Sequence, residues 1–152
     1  MSTPAKGAAQ ELYKAVFAVL QGDVALRGLL DATGDDPRIY QTSVAFDSAA
    51  ALKEGYWLTY NVTSDLPAPV EQTQDVREVR MDVHVWVRGP HTDKAEEIAK
   101  RILELLDGAD LATATLFAWQ FLGRGYNKTF ESEPEVWHIV LGFEGMFMAL
   151  SA

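Results

Sequence analysis

Val76-Arg-Glu-Val-Arg-Met-Asp-Val-His-Val-Trp-Val-Arg88 decides the fold. In an extended chain Val79, Met81, Val83, Val85 and Val87 share one side, and Arg80, Asp82, His84, Trp86 and Arg88 share the other. Strand side chains alternate between faces with a period of two, so this stretch predicts a strand with its valine face on a core. β-Branched residues pack well on a pleated surface, which strengthens the reading. Gly89-Pro90 then ends the strand.

Toward the C-terminus, Thr92 is placed to cap a helix whose first turns carry Asp93, Glu96 and Glu97, where the helix dipole favours acids. Ala95, Ile98, Ala99, Ile102, Leu105 and Leu106 form its apolar stripe, and Gly108 sits where a C-terminal cap is expected. Thr113 to Leu122 reads as an aromatic-rich strand, Gly123 to Thr129 as a turn, and Val136 to Met148 as a second long strand. Trp137, Ile139, Leu141, Phe143 and Phe147 share one face of the latter, with Gly145 at a position suited to a bulge.

Toward the N-terminus, Leu12, Ala15, Val16, Val19 and Leu20 mark one face of a helix over Ala8 to Leu20. Asp23 reads as the N-cap of a short second helix with Val24, Leu26, Leu29 and Leu30. Ile39 to Val44 fits a short strand and Tyr56 to Thr63 a longer one, while Asp47 to Glu54 is helical only by its alanine content. Ser64 to Asp75, with Pro67 and Pro69, reads as a long polar connection. The element order predicts an α+β fold: a mostly antiparallel sheet of about four or five strands with two main helices packed on one face. One domain over residues 1–152 is expected, with 1–7 flexible.

Composition narrows the function classes. A chain of 152 residues, 48% hydrophobic and 23% charged, can fold without staples. With no cysteine, disulfides, iron–sulfur clusters, thiolate zinc sites and cysteine nucleophiles are all excluded. No apolar run approaches the roughly 20 residues needed to span a bilayer, so no membrane role is expected. A net charge of −9 disfavours gripping DNA or anionic lipid.

No catalytic constellation stands out. His84, His91 and His138 lack helical ligand spacing, although Asp82, His84 and His138 are placed for one mixed sheet face; no metal and no cofactor are expected. There is no Gly-x-Ser-x-Gly elbow. Gly123-Arg-Gly-Tyr-Asn-Lys-Thr129 resembles a phosphate loop only superficially, because Asn127 precedes Lys128 and a strand follows rather than a helix. Glu131, Glu133 and Glu135 read as a solvated cluster guarding a strand end. The aromatic and apolar residues opposite the valine row, Trp86 with Val140, Met146 and Met148, call for a cover from this chain or from a partner.

The layout resembles the tail-completion or tail-terminator proteins of long-tailed bacteriophages and gene-transfer particles. The resemblance rests on Asp23-Val-Ala-Leu-Arg-Gly-Leu-Leu30, Arg38-Ile-Tyr40, Tyr56-Trp-Leu-Thr-Tyr60, then Val79 through Val-Trp-Val-Arg88, and a helix from Asp93-Lys-Ala holding Ile98-Ala and Ile102. It covers about Leu12 to Met148. It implies a non-enzymatic virion protein, assembled in the host cytoplasm, forming a hexameric ring at the head–tail junction. Its partners would be further copies, the major tail tube protein and a connector or neck protein, with genome DNA passing through unread. Expected contact residues are Asp65, Leu66, Pro67, Ala68, Pro69, Val70, Trp86, Arg88, Arg124, Tyr126, Lys128 and Phe130. The acidic balance would suit a lumen that does not retain DNA, or simply solubility. Alternatives are another neck protein, a tail tube subunit, or a small-molecule-binding or enzymatic domain using Asp82, His84, Trp86 and His138.

Overall fold

The computed structural model describes residues 4–32, 38–41, 55–67, 76–89, 92–112, 116–132 and 135–149. In chain order these form α1 (Pro4–Gly22), α2 (Val24–Leu29), β1 (Ile39–Gln41), β2 (Tyr56–Pro67), β3 (Val76–Arg88), α3 (Thr92–Leu106), β4 (Leu116–Ser132) and β5 (Glu135–Ala149). The strands make one sheet in the order β1-β2-β3-β5-β4. β1 runs parallel to β2, and every other neighbouring pair is antiparallel.

β3 occupies the centre and pairs along nearly its whole length with β2 on one side and β5 on the other. Its valine row meets Tyr56, Leu58, Tyr60 and Val62 of β2 and Trp137, Ile139, Leu141 and Phe143 of β5 in direct register. Val79, Met81, Val83, Val85 and Val87 are all buried. They share a core with Leu12, Val16 and Leu20 of α1 and Ala95, Ile98, Ile102 and Leu106 of α3. Helix stripes with three- and four-residue spacing thus cover the sheet face that the period-two rows create. β3 and β4 both run antiparallel to β5, so they are parallel to each other with β5 between them. Two parallel strands need a crossover, and α3 supplies it.

Two local devices anchor the helices. Thr63 is the extra residue of a bulge between Val62 and Ser64, and at its edge the Val62 N–H donates to the Tyr13 hydroxyl at 2.8 Å. The Tyr60 hydroxyl donates to the Tyr13 carbonyl at 3.3 Å, and burial pushes the Tyr60 phenol up to about 12. Asp23 caps α2 by accepting from the Leu26 N–H at 2.8 Å, as expected of an N-cap. The same carboxylate accepts from Arg101 of α3, with 2.8 Å to Nε and 2.6 Å to the outer nitrogen. Hydrogen bonding to Arg101 holds the Asp23 carboxyl below its ordinary range, and Asp23 in turn raises the Arg101 guanidinium.

The expected α+β architecture holds among the described residues, with three corrections. Ser64 to Pro67 is strand rather than loop, because the bulge at Thr63 restores the alternation and lets β2 continue against β3. Gly123 to Thr129 is not a turn: β4 runs through it, paired with β5 on either side of Arg124. The Gly-x-Gly pair is instead a bulge around Arg124, where Gly125 takes a φ of 112° that only glycine adopts without strain. Gly123 passes close under α3, where a Cβ would stand 3.3 Å from a Leu103 methyl. The third correction follows from the second: bulges lie on β4, at Ala118/Gln120 and Gly123/Gly125, while Gly145 sits in regular register with Val79 and Phe121. α1 begins at Pro4, inside the segment read as flexible. The readings over 42–54, 68–75 and 113–115 lie outside the described residues.

Asp23→Ala removes a cap and a bidentate ion pair together. We expect a loss of about 1–2 kcal/mol, most of it from the cap. Urea unfolding checks this, with Arg101→Met expected to cost less; equal losses in the two variants would mean that the ion pair dominates.

Candidate functional site

The site of interest is the sheet face turned away from the helices. Trp57 of β2, Trp86 of β3 and His138 of β5 lie in one row across three strands, because the register pairs Trp57 with Trp86 and Trp86 with His138. The rings stack: Trp57 on Trp86 at 5.9 Å and 6°, Trp86 on His138 at 3.7 Å and 9°. His84, one step along β3, closes the group, with its Nδ1 2.8 Å from Nε2 of His138. The Trp86 indole N–H donates to the Thr59 hydroxyl at 3.2 Å. Trp57 is only 2% exposed and Thr59 5%, although both point away from the helical layer.

Burial disfavours charge on both imidazoles. It pushes His138 down to about 4, with the neighbouring His84 adding to the effect. It lowers His84 as well, and the Asp82 carboxylate works against that shift. Asp82 does not join the histidines as a ligand set: among the described residues no three metal-ligating side chains converge.

Further along the same face the character changes. Leu66 is 59% exposed, beside Glu78 in register. Glu78, Leu122, Arg124, Glu144 and Met146 border a shallow depression of about 140 Å³. Arg124 pairs with Glu144 at 2.9 Å across the edge strand. Aromatic, methionine and arginine side chains of this kind are the ones enriched in contact surfaces.

The expected contact residues do not gather at one spot. Trp86 is in the ring stack and Arg88 is exposed at the end of β3. Asp65 is half-buried on the helix side, ion-paired with Arg77 at 2.8 Å. Leu66 and Arg124 lie on the open face. Lys128 is on the helix side, paired with Glu96 of α3 and 5.3 Å from the Trp137 ring centroid. Tyr126 and Phe130 are in register with Leu141 and Trp137, and Pro67 with Arg77. Ala68, Pro69 and Val70 lie outside the described residues. Sequence reasoning missed Trp57 and Thr59 as partners of Trp86. The alternation of Tyr56 to Tyr60 held the signal, but using it required the pairing of β2 with β3.

A sheet with one face under helices and the other presenting a stacked aromatic row and an ion-paired edge defines a class of small α+β proteins suited to contact. The profile of the family described as Tail completion protein gp17 matches residues 14–147. The chain belongs to that family and is a structural protein of the tail of a phage-type particle. Among solved structures, a chain from the virion of a native gene transfer agent particle superposes with a TM-score of 0.70. That match covers 97% of this chain and 99% of the other at 17% identity. A second solved structure matches with a TM-score of 0.55 over 95% of this chain and 97% of its own, at 14% identity. At such identities the likeness is one of fold. No curated protein sequence matches the chain.

The histidine pair makes stability depend on pH. Unfolded histidines titrate near 6.5, while the folded state keeps His138 neutral down to about 4. Its stabilising contribution is therefore complete above about pH 6.5 and is lost as pH falls from there toward 4. Urea midpoints are expected to be flat from pH 7 to 8 and to decline over that lower window, with a shallower decline in His138→Phe. A midpoint that rises on acidification would contradict this.

Proposed function

We propose that the chain is a ring-forming tail terminator: it caps the tail tube, stops its elongation and joins the tail to the neck, while genome DNA passes through the ring. The observation that carries the reading is the near-complete extent of the family match, residues 14–147. It is supported by a shared fold over 97% of this chain with a component of a gene transfer agent virion.

The geometry suits repeated lateral contact. β4 is a 17-residue strand at one edge of the sheet. At the other edge, among the described residues, β1 pairs with Leu58 to Tyr60 of β2. A subunit with a different edge on each side can make head-to-tail contacts, and these close into a ring when the rotation between neighbours allows. We assign Arg124, Tyr126, Lys128 and Phe130, along β4, to one such contact. Asp65 to Val70 at the end of β2 belongs to the contact with the tube or the next subunit, and Trp86 and Arg88 to the open face between copies. The acidic balance keeps the ring from retaining DNA, since each phosphate contact would add affinity.

Sedimentation velocity of the purified chain, alone and with tail tube protein, tests the proposal. A six-copy species in either sample is expected, and Arg124→Glu is expected to weaken it. A monomer in both samples would overturn the ring reading.

A further inference from the structure

We propose that His84 and His138 form a one-proton clasp that holds the Trp57–Trp86 stack closed and releases it when both rings become charged. The 2.8 Å separation of His84 Nδ1 and His138 Nε2 exists only if one nitrogen carries hydrogen and the other offers its lone pair. In the neutral pair, one N–H donates across the contact. A first added proton goes to an outer nitrogen, His84 Nε2 or His138 Nδ1, and the bridge survives. A second proton leaves two N–H groups facing each other at that distance, on two cations, and the contact fails. Release therefore takes two protons, not one.

The clasp is coupled to the tryptophans by stacking. The His138 ring lies 3.7 Å from the Trp86 centroid and nearly parallel to it, and Trp86 in turn lies flat against Trp57. When His138 moves, Trp86 loses one side of its stack and keeps the Thr59 hydrogen bond as its tether. Trp86 is then open to solvent on the side that His138 covered.

Among the described residues, the charged groups nearest the pair are few. On β3, Asp82 and Arg88 share their face, and Asp82 favours a charge on His84 first. On β5 the next acid of that face, Glu144, is already engaged by Arg124. Among the described residues of β2 and β4, Thr59 and Thr129 stand in register with the pair and carry no charge; one step further lie Asn61, Asn127 and, in register with Val136, the acidic Glu131. His84 thus takes the first proton, and the charge it acquires helps to delay the second on His138.

Acrylamide quenching of tryptophan fluorescence, followed from pH 8 downward on the whole chain with far-UV circular dichroism in parallel, tests the clasp. Quenching should stay flat through the first protonation and rise in a single step with the second, near pH 4 rather than at the ordinary 6.5, while the dichroism stays constant. His138→Phe keeps a ring on Trp86 but cannot take the proton, and it should abolish the step; His84→Phe serves as the second variant. Nitrogen-15 spectra of the unmodified chain at neutral pH should show one bridging nitrogen protonated and the other bare. A step near 6.5 that accompanies the first protonation, a step that persists in the phenylalanine variants, loss of the dichroism along with the step, or two equivalent bridging nitrogens would each overturn the proposal.

Discussion

The valine row of β3 is pressed against α1 and α3 while both edges of the same strand are hydrogen-bonded, and the remaining elements are arranged around that condition. Burying one such side chain is worth about 1.5–3 kcal/mol, and Val79 to Val87 contribute five, counting Met81. A slip of one residue would turn all five to the other face. The slip is opposed from that face too, because Trp86 is in register with Trp57 on one side and His138 on the other. One register satisfies both faces, so the centre of the sheet is specified twice.

That double specification explains what could be read from the residues. Alternation over Val76 to Arg88, the stripe from Ala95 to Leu106 and the cap at Asp23 are local patterns, and each element appears where its pattern stands. The errors came at bulges. Around Thr63 and Arg124 the alternation skips a residue, so a continuous strand looks like a shorter strand that ends in a polar connection or a turn. Gly123 and Gly125 imitate a turn because bulges and turns draw on the same backbone freedom. The candidate surface was legible in part. Trp86, His84 and His138 were placed on one face from periodicity, but their stacking with Trp57 depends on strand order. Strand order is a property of the whole sheet, because β5 inserts between β3 and β4 although it comes last in the chain.

A fold shared at 17% identity over 97% of this chain and 99% of another is set by pattern rather than by particular residues. The same logic suits a protein that works by fitting between others. Its inner face must hold shape, and its outer face and edges can be tuned to neighbours. The sheet meets both demands. Its helix side is closed by apolar packing and by ties such as Asp23–Arg101 and Lys128–Glu96. Its open side carries the ring stack, Leu66 and the Arg124–Glu144 pair.

Termination of the tail is the central claim, and electron microscopy of particles assembled without this protein tests it most directly. Tubes of uncontrolled length that fail to join filled heads, restored to normal by supplying the chain, are the predicted result. Tails of normal length joined to heads in its absence would contradict the account.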